Sequence, residues 1–125
     1  MLARFVLAVA VLAAGSGVAR AEGDAAEGAK VFRKCSACHV VDKPQNRVGP
    51  SLLGVMGRQA GAVEGFKYSD AMKNSGIVWS AETLDAYLAD PKGYIPGNRM
   101  AFAGLKKPEE RADVIAYIVE ASAPK

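Results

Sequence analysis

Cys35-Ser36-Ala37-Cys38-His39 gathers both cysteines and the one histidine of a 125-residue chain into five consecutive positions. No other stretch restricts the fold so tightly. Two thiols three apart, followed at once by an imidazole, form the attachment signature of a c-type haem. Each thiol can add across one vinyl group of a porphyrin, and the histidine beside them is then held next to the iron as a proximal ligand. Two other readings fit less well. A thiol–disulfide pair belongs at the start of a helix in a βαβ setting, and the chain shows no alternating strands. A structural zinc site needs about four nitrogen or sulfur ligands, and only three are here.

The N-terminus bears on the compartment. Met1-Leu2-Ala3-Arg4 carries one positive charge, Phe5 to Ala14 is unbroken apolar sequence, and Gly15-Ser16-Gly17 precedes Ala19-Arg20-Ala21. A basic start, a short apolar middle and an A-x-A site read as a secretory signal. Residues 1–21 are expected to be cleaved, leaving 22–125 as one domain in the periplasm. The apolar run has roughly half of the ~20 residues that span a bilayer; retention as an N-terminal anchor is the alternative. In an oxidising compartment disulfides persist, yet Cys35 and Cys38 enclose too short a loop to staple a fold. Thioether attachment explains them better.

Charge is uneven. Arg4 and Arg20 are two of the 16 basic residues, so residues 22–125 carry 14 against 13 acids, a net +1. Lys30 to Arg47 holds a local +4, and Lys92 to Lys107 another +4. Such asymmetry suits orientation on an acidic protein face rather than nucleic-acid binding.

Patterning predicts an all-α domain. Asp24 can cap a helix from Ala25 to about Lys34, with Gly28, Val31 and Phe32 on one face. Gly28 costs that helix about 1 kcal/mol against alanine, which is tolerable where a second helix approaches closely. Ser69 caps a short helix ending near Asn74. Ser80 caps Ala81 to Ala89, with Pro91 as its stop. Pro108 starts a last helix through Ala121, with Glu109 and Glu110 in the first turn. The result is three main helices, short helices and long loops. Loops this long in so small a domain need a reason, and wrapping a flat cofactor is one.

A sixth iron position remains. With no second histidine, Met56, Met72 and Met100 are the available ligands. Met72 reads as a packing residue on a short helix, and spacing alone leaves Met56 open. Met100 is favoured, because it lies in the loop Tyr94 to Gly104, far enough along the chain to return to the other cofactor face. A thioether is a soft ligand that favours the ferrous state. With both positions filled, the expected product is an electron carrier.

These residues resemble class I cytochromes c, the mitochondrial and soluble photosynthetic-bacterial type. The resemblance runs from Gly23 to Ser122. It is carried by CSACH, VGPSLLGVMGR, GFKYSDAMKNSGIVW and the stretch WSAETLDAYLADPKGYIPGNRMAFAGLKKPEERADVIAY. It implies the cytochrome c fold around one haem c bound through Cys35 and Cys38, with His39 and Met100 as the metal ligands. It further implies that the Pro50 carbonyl orients His39. Trp79, Tyr68 and Arg58 would serve a haem propionate, Tyr87 would lie near the Met100 sulfur, and Asn98 would contact the inner propionate region. Gly28, Phe32, Val114 and Tyr117 would form the crossing of the first and last helices.

Two positions depart from the mitochondrial pattern, with Met72 in place of the usual Asn and Asn98 in place of Thr. The connections flanking the haem motif look one residue shorter, which points to a bacterial variant. The function implied is a monomeric, non-enzymatic one-electron shuttle in respiration or photosynthesis, from a quinol-oxidising complex to a terminal oxidase or reaction centre. The haem edge beside Cys38 and Phe102 would be ringed by Lys30, Lys34, Lys43, Lys92, Arg99, Lys106 and Lys107. These would meet acidic faces of membrane complexes transiently, with no nucleic acid and no small-molecule substrate. A haem enzyme or sensor with a labile sixth ligand, such as a peroxidase, is the rival.

Overall fold

Asp24 sets the first element in place. Its carboxylate accepts from the backbone N–H groups of Ala26 and Glu27 at 2.8 and 3.1 Å, capping helix α1, Ala25–Val31. In the computed structural model, which describes residues 23–125, the helical path then tightens into a 3₁₀ turn, Phe32–Lys34. The expected single helix to Lys34 is thus two pieces. The tightening delivers the chain into the cysteine motif, where Cys35 and Ser36 N–H both donate to the Phe32 carbonyl. The signal-sequence reading falls on residues 1–21, outside the described residues.

Helix α2, Asp70–Lys73, is capped by the Ser69 hydroxyl, which accepts from Met72 N–H. Helix α3, Ala81–Ala89, opens on a reciprocal box in which Ser80 and Thr83 each accept from the other's backbone N–H. Pro91 ends α3 as expected, but it also begins a one-turn helix α4, Pro91–Tyr94, capped by the Asp90 carboxylate on Gly93 N–H. A proline stops one helix and suits the first position of the next, so a single residue serves both. Helix α5, Pro108–Ala121, completes the set. The described residues contain no strand, only an isolated antiparallel bridge between Gln59 and Val78.

The fold is held by the crossing of α1 and α5. A Cβ built on Gly28 would collide with the Asp113 carbonyl and lie 2.8 Å from Tyr117 Cβ, so only glycine lets the two backbones meet. Gly23 is pressed against the Ala112 carbonyl in the same way. Asp113 returns the contact, accepting from Asp24 N–H at 2.8 Å. Phe32 and Tyr117 stack obliquely at 5.2 Å, and Val114 is 0% exposed between the helices. Burying each such side chain contributes about 1.5–3 kcal/mol. On the other side of α5, Arg111 reaches α3, with Nε 2.7 Å from Asp85 Oδ1.

The long loops are pinned to this frame by backbone bonds. Gly54 N–H donates to the Ser122 carbonyl at the end of α5, at 2.7 Å. Around the bridge, Ala60 N–H donates to Ile77, Trp79 N–H to Arg58, and Gly57 N–H to Trp79. That pairing brings Arg58 and Trp79, 21 positions apart in sequence, together at one wall of the interior.

Candidate haem site

Between the α1–α5 crossing and the loops lies a cavity of about 320 Å³, lined mostly by apolar side chains. That volume is in the range of cofactor pockets, roughly 300–1,000 Å³. Cys35, Cys38 and His39 form one part of its wall. Pro50, Arg58, Tyr68, Trp79, Tyr87 and Met100 also line it, so the fold brings nearly all the residues expected at the site together. Of the three candidate methionines, Met72 and Met100 line the cavity, while Met56 packs against the core elsewhere.

His39 is held for one task. Its Nδ1 lies 2.8 Å from the Pro50 carbonyl oxygen. A carbonyl can only accept, so Nδ1 carries the proton and Nε2 keeps a free lone pair, as a metal ligand requires. Gly49 makes the pose possible, because a Cβ there would strike the imidazole ring. Burial lowers the His39 pKa, the Pro50 bond opposes that shift, and the charge on Arg58 adds to it. All but the hydrogen bond favour the neutral form. Burial likewise raises the Cys35 thiol, offset in part by Lys34.

Arg58 faces the opposite demand. Its two terminal nitrogens donate to the carbonyls of Leu53 and Ser51 at 3.1 and 3.0 Å, and its Nε is buried without a partner. Burial lowers its pKa, yet it stays cationic. An orphaned buried N–H on a cation marks a place for an anion. The other charged residues of the lining are Lys34, Lys67 and Arg99, again cations, with no carboxylate among them. A flat apolar ring bearing two carboxylates fits this cavity: apolar walls, basic rim, two thiols and an imidazole. A haem meets that description.

Tyr87, on the buried face of α3, meets Trp79 at a tilt with ring centres 5.1 Å apart, and its hydroxyl lies 3.7 Å from the Met100 sulfur. Burial pushes its pKa up to about 12. The Tyr68 hydroxyl accepts from Val63 N–H at 3.0 Å, and its ring meets Phe66 edge-on at 4.9 Å. Asn98 is different. It does not line the cavity, and its side-chain amide is engaged by Pro91 at the start of α4 and by Ile95 and Met100 of its own loop.

A model of the family described as cytochrome c matches residues 25–122. The chain belongs to the cytochrome c family. Cytochrome c type-1 of Ascaris suum is 58% identical over 100 residues, covering 79% of this chain and 89% of its own length. Cytochrome c2 iso-2 of Magnetospirillum fulvum is 56% identical over 93 residues, covering 74% of this chain and 97% of its own. Among solved structures, cytochrome cH from Methylobacterium extorquens superposes with a TM-score of 0.74 at 46% identity, over 78% of this chain and 99% of that one. The fold is accordingly the all-α cytochrome c fold. The chain carries one haem c, bound covalently through Cys35 and Cys38, and it is an electron carrier.

The seven residues expected to guide docking are all exposed. Lys34 and Arg99 line the cavity itself, and Lys92 lies in a shallow depression sharing Ala101 and Phe102 with it. Lys30 pairs with Glu27 at 2.9 Å, Lys34 stands 3.9 Å from Glu110, and Lys106 Nζ donates to the carbonyls of Ala89 and Ala103. Lys43 and Lys107 do not line the cavity. Sequence reasoning passed over Lys67 and Val48. Lys67 falls between two aromatics, Phe66 and Tyr68. Val48 is a cavity-lining residue 79% exposed, and its apolar character in a polar loop is the one sequence signal for it.

Proposed function

We propose that the chain is a periplasmic one-electron shuttle whose iron is held between His39 and Met100. The observation that carries this reading is the pairing of a neutral imidazole, its free Nε2 set by Pro50, with a loop thioether on the wall of one cavity. The bound haem supplies a single chemistry, a one-electron change at iron. The residues of the chain do the rest. His39 offers a nitrogen whose orientation is fixed before the cofactor arrives, which reduces rearrangement between the two oxidation states. Met100 offers a soft sulfur that raises the potential. The apolar lining excludes water, and Arg58 faces the buried negative charge.

Residues 1–21 act in this reading as a cleaved export signal, and residues 22–125 as the single working domain. Among the described residues, no helix is long and apolar enough to cross a membrane. Partners are acidic faces of membrane electron-transfer complexes, one that oxidises quinol and one that accepts the electron. Encounters of this kind are small, brief and screened by salt. The basic residues at the cavity mouth, with Val48 and Ala101 as apolar contact, are the surface for it. The test is turnover with a purified terminal oxidase across ionic strength. The rate should fall steeply as salt rises, and charge reversal at Lys34 or Lys92 should flatten that slope. A rate indifferent to salt would contradict steering.

A further inference from the structure

We propose that Asn98 is a positioning residue for Met100, and that its side-chain amide sets how readily the iron loses its sulfur ligand. The inference rests on the reading of Met100 as the sixth ligand. It starts from a compact knot of bonds. Asn98 Nδ2 donates to the carbonyls of Pro91 and Ile95 at 2.7 and 2.8 Å, and Asn98 Oδ1 accepts from Met100 N–H at 2.9 Å. Both amide hydrogens are used, and the oxygen faces the one N–H that belongs to the ligand residue. Turning the amide over would set its oxygen against two carbonyls, so the network itself fixes the assignment.

The knot ties three levels of the loop. The Pro91 carbonyl also accepts from Ile95 N–H at 3.1 Å, closing α4, and the Ile95 carbonyl also accepts from Asn98 N–H at 3.1 Å. Asn98 thus fastens both ends of that turn to each other and hangs Met100 from the result. Ile95 is 3% exposed and anchors the turn in the core. Gly97, at φ +91, supplies the left-handed bend, and a Cβ there would sit 3.2 Å from Ala71 Cβ of α2. The backbone before Met100 therefore has little room to move. Beyond it, the Met100 side chain packs against the core and takes the 3.7 Å contact from Tyr87, and the Met100 carbonyl accepts from Phe102 N–H. Release of the sulfur requires the loop to move, and Asn98 holds the loop at its ligand end.

Only an amide fits this part. Threonine has one O–H donor and could serve one of the two carbonyls; aspartate would place negative oxygens against both; alanine would leave Met100 N–H without its acceptor and each carbonyl with its backbone bond alone. The experiment uses the ferric holoprotein with imidazole as the competing ligand, followed through the near-infrared sulfur-to-iron absorption band. Denaturant unfolding of each variant is measured in parallel. Asn98→Ala and Asn98→Asp are expected to bind imidazole about tenfold faster than wild type, the effect of losing roughly one net hydrogen bond. Asn98→Thr should fall between them and wild type, a partial rescue that a plain packing role would not produce. Imidazole binding at the wild-type rate in all three variants, or faster only in step with lost global stability, would overturn the proposal. Absence of the band in wild type would instead remove Met100 as ligand, and the proposal with it.

Discussion

The hydroxyl of Tyr87 lies 3.7 Å from the sulfur of Met100. One side chain comes from helix α3, the other from a loop that leaves α4, and their meeting defines one side of the cavity. A hydrogen bond to sulfur at that distance is weak. It withdraws electron density from the thioether nonetheless, and Trp79 stacked at 5.1 Å keeps the phenol in place.

That environment makes a pH prediction. Burial raises the Tyr87 pKa to about 12 in the folded chain, against about 10 unfolded. The unfolded chain therefore releases this proton first as pH climbs. Stability from this group is complete below about pH 10 and is lost as pH rises towards about 12. Denaturant unfolding at successive alkaline pH values should show that decline, and Tyr87→Phe should reduce its slope. An identical slope in the variant would contradict the assignment to Tyr87.

Gly28 offers a prediction of sign. Helix propensity alone would favour alanine there by about 1 kcal/mol. The Asp113 carbonyl occupies the space a Cβ would take, and overpacking of this kind costs about 1–3 kcal/mol. Gly28→Ala should therefore lower the denaturant midpoint of the holoprotein. A midpoint unchanged or raised would mean that α1 and α5 do not meet as described.

Arg58 is the residue proposed to face the cofactor's carboxylates. Arg58→Gln removes a cation whose buried Nε has no protein partner. Loss of that positive charge favours the more positive ferric state, so the potential should fall, by roughly 40 mV for each kcal/mol of lost stabilisation, since a tenfold change is 59 mV in a one-electron couple. Potentiometric titration measures it. A potential that stayed fixed would place the carboxylates away from Arg58.

Arg111 is the fold's counterpart. With a side chain only 13% exposed, it binds Asp85 at 2.7 Å and donates to the carbonyls of Leu105 and Lys106 at 2.9 and 3.2 Å. It thereby ties α5 and α3 to the chain leaving the Met100 loop. Arg111→Ala strands Asp85, half exposed, and two carbonyls. Stability should fall by about 2–3 kcal/mol, read from thermal or denaturant unfolding, with the cofactor still attached.

Much of this was written locally in the chain. The caps at Asp24, Ser69 and Ser80, the proline opening α5 and the cysteine motif each depend on neighbours in sequence, so their chemistry could be read directly. Gly28 was legible because a glycine in an otherwise good helix needs a tertiary reason. Helix α4 was not, since Pro91 announces a stop more loudly than a start. The orphaned Nε of Arg58 and the cavity-lining place of Lys67 depend on how the chain closes around the cavity, and the amide knot of Asn98 on the turn geometry that brings Pro91, Ile95 and Met100 within reach. Residue identity and spacing cannot supply those.

The ligand pair is tested most directly by near-infrared magnetic circular dichroism of the purified ferric protein and two variants. Histidine–methionine ligation is expected in wild type, retained in Met72→Leu and lost in Met100→Ala. Retention of that signal in Met100→Ala, or its loss in Met72→Leu alone, would contradict the account.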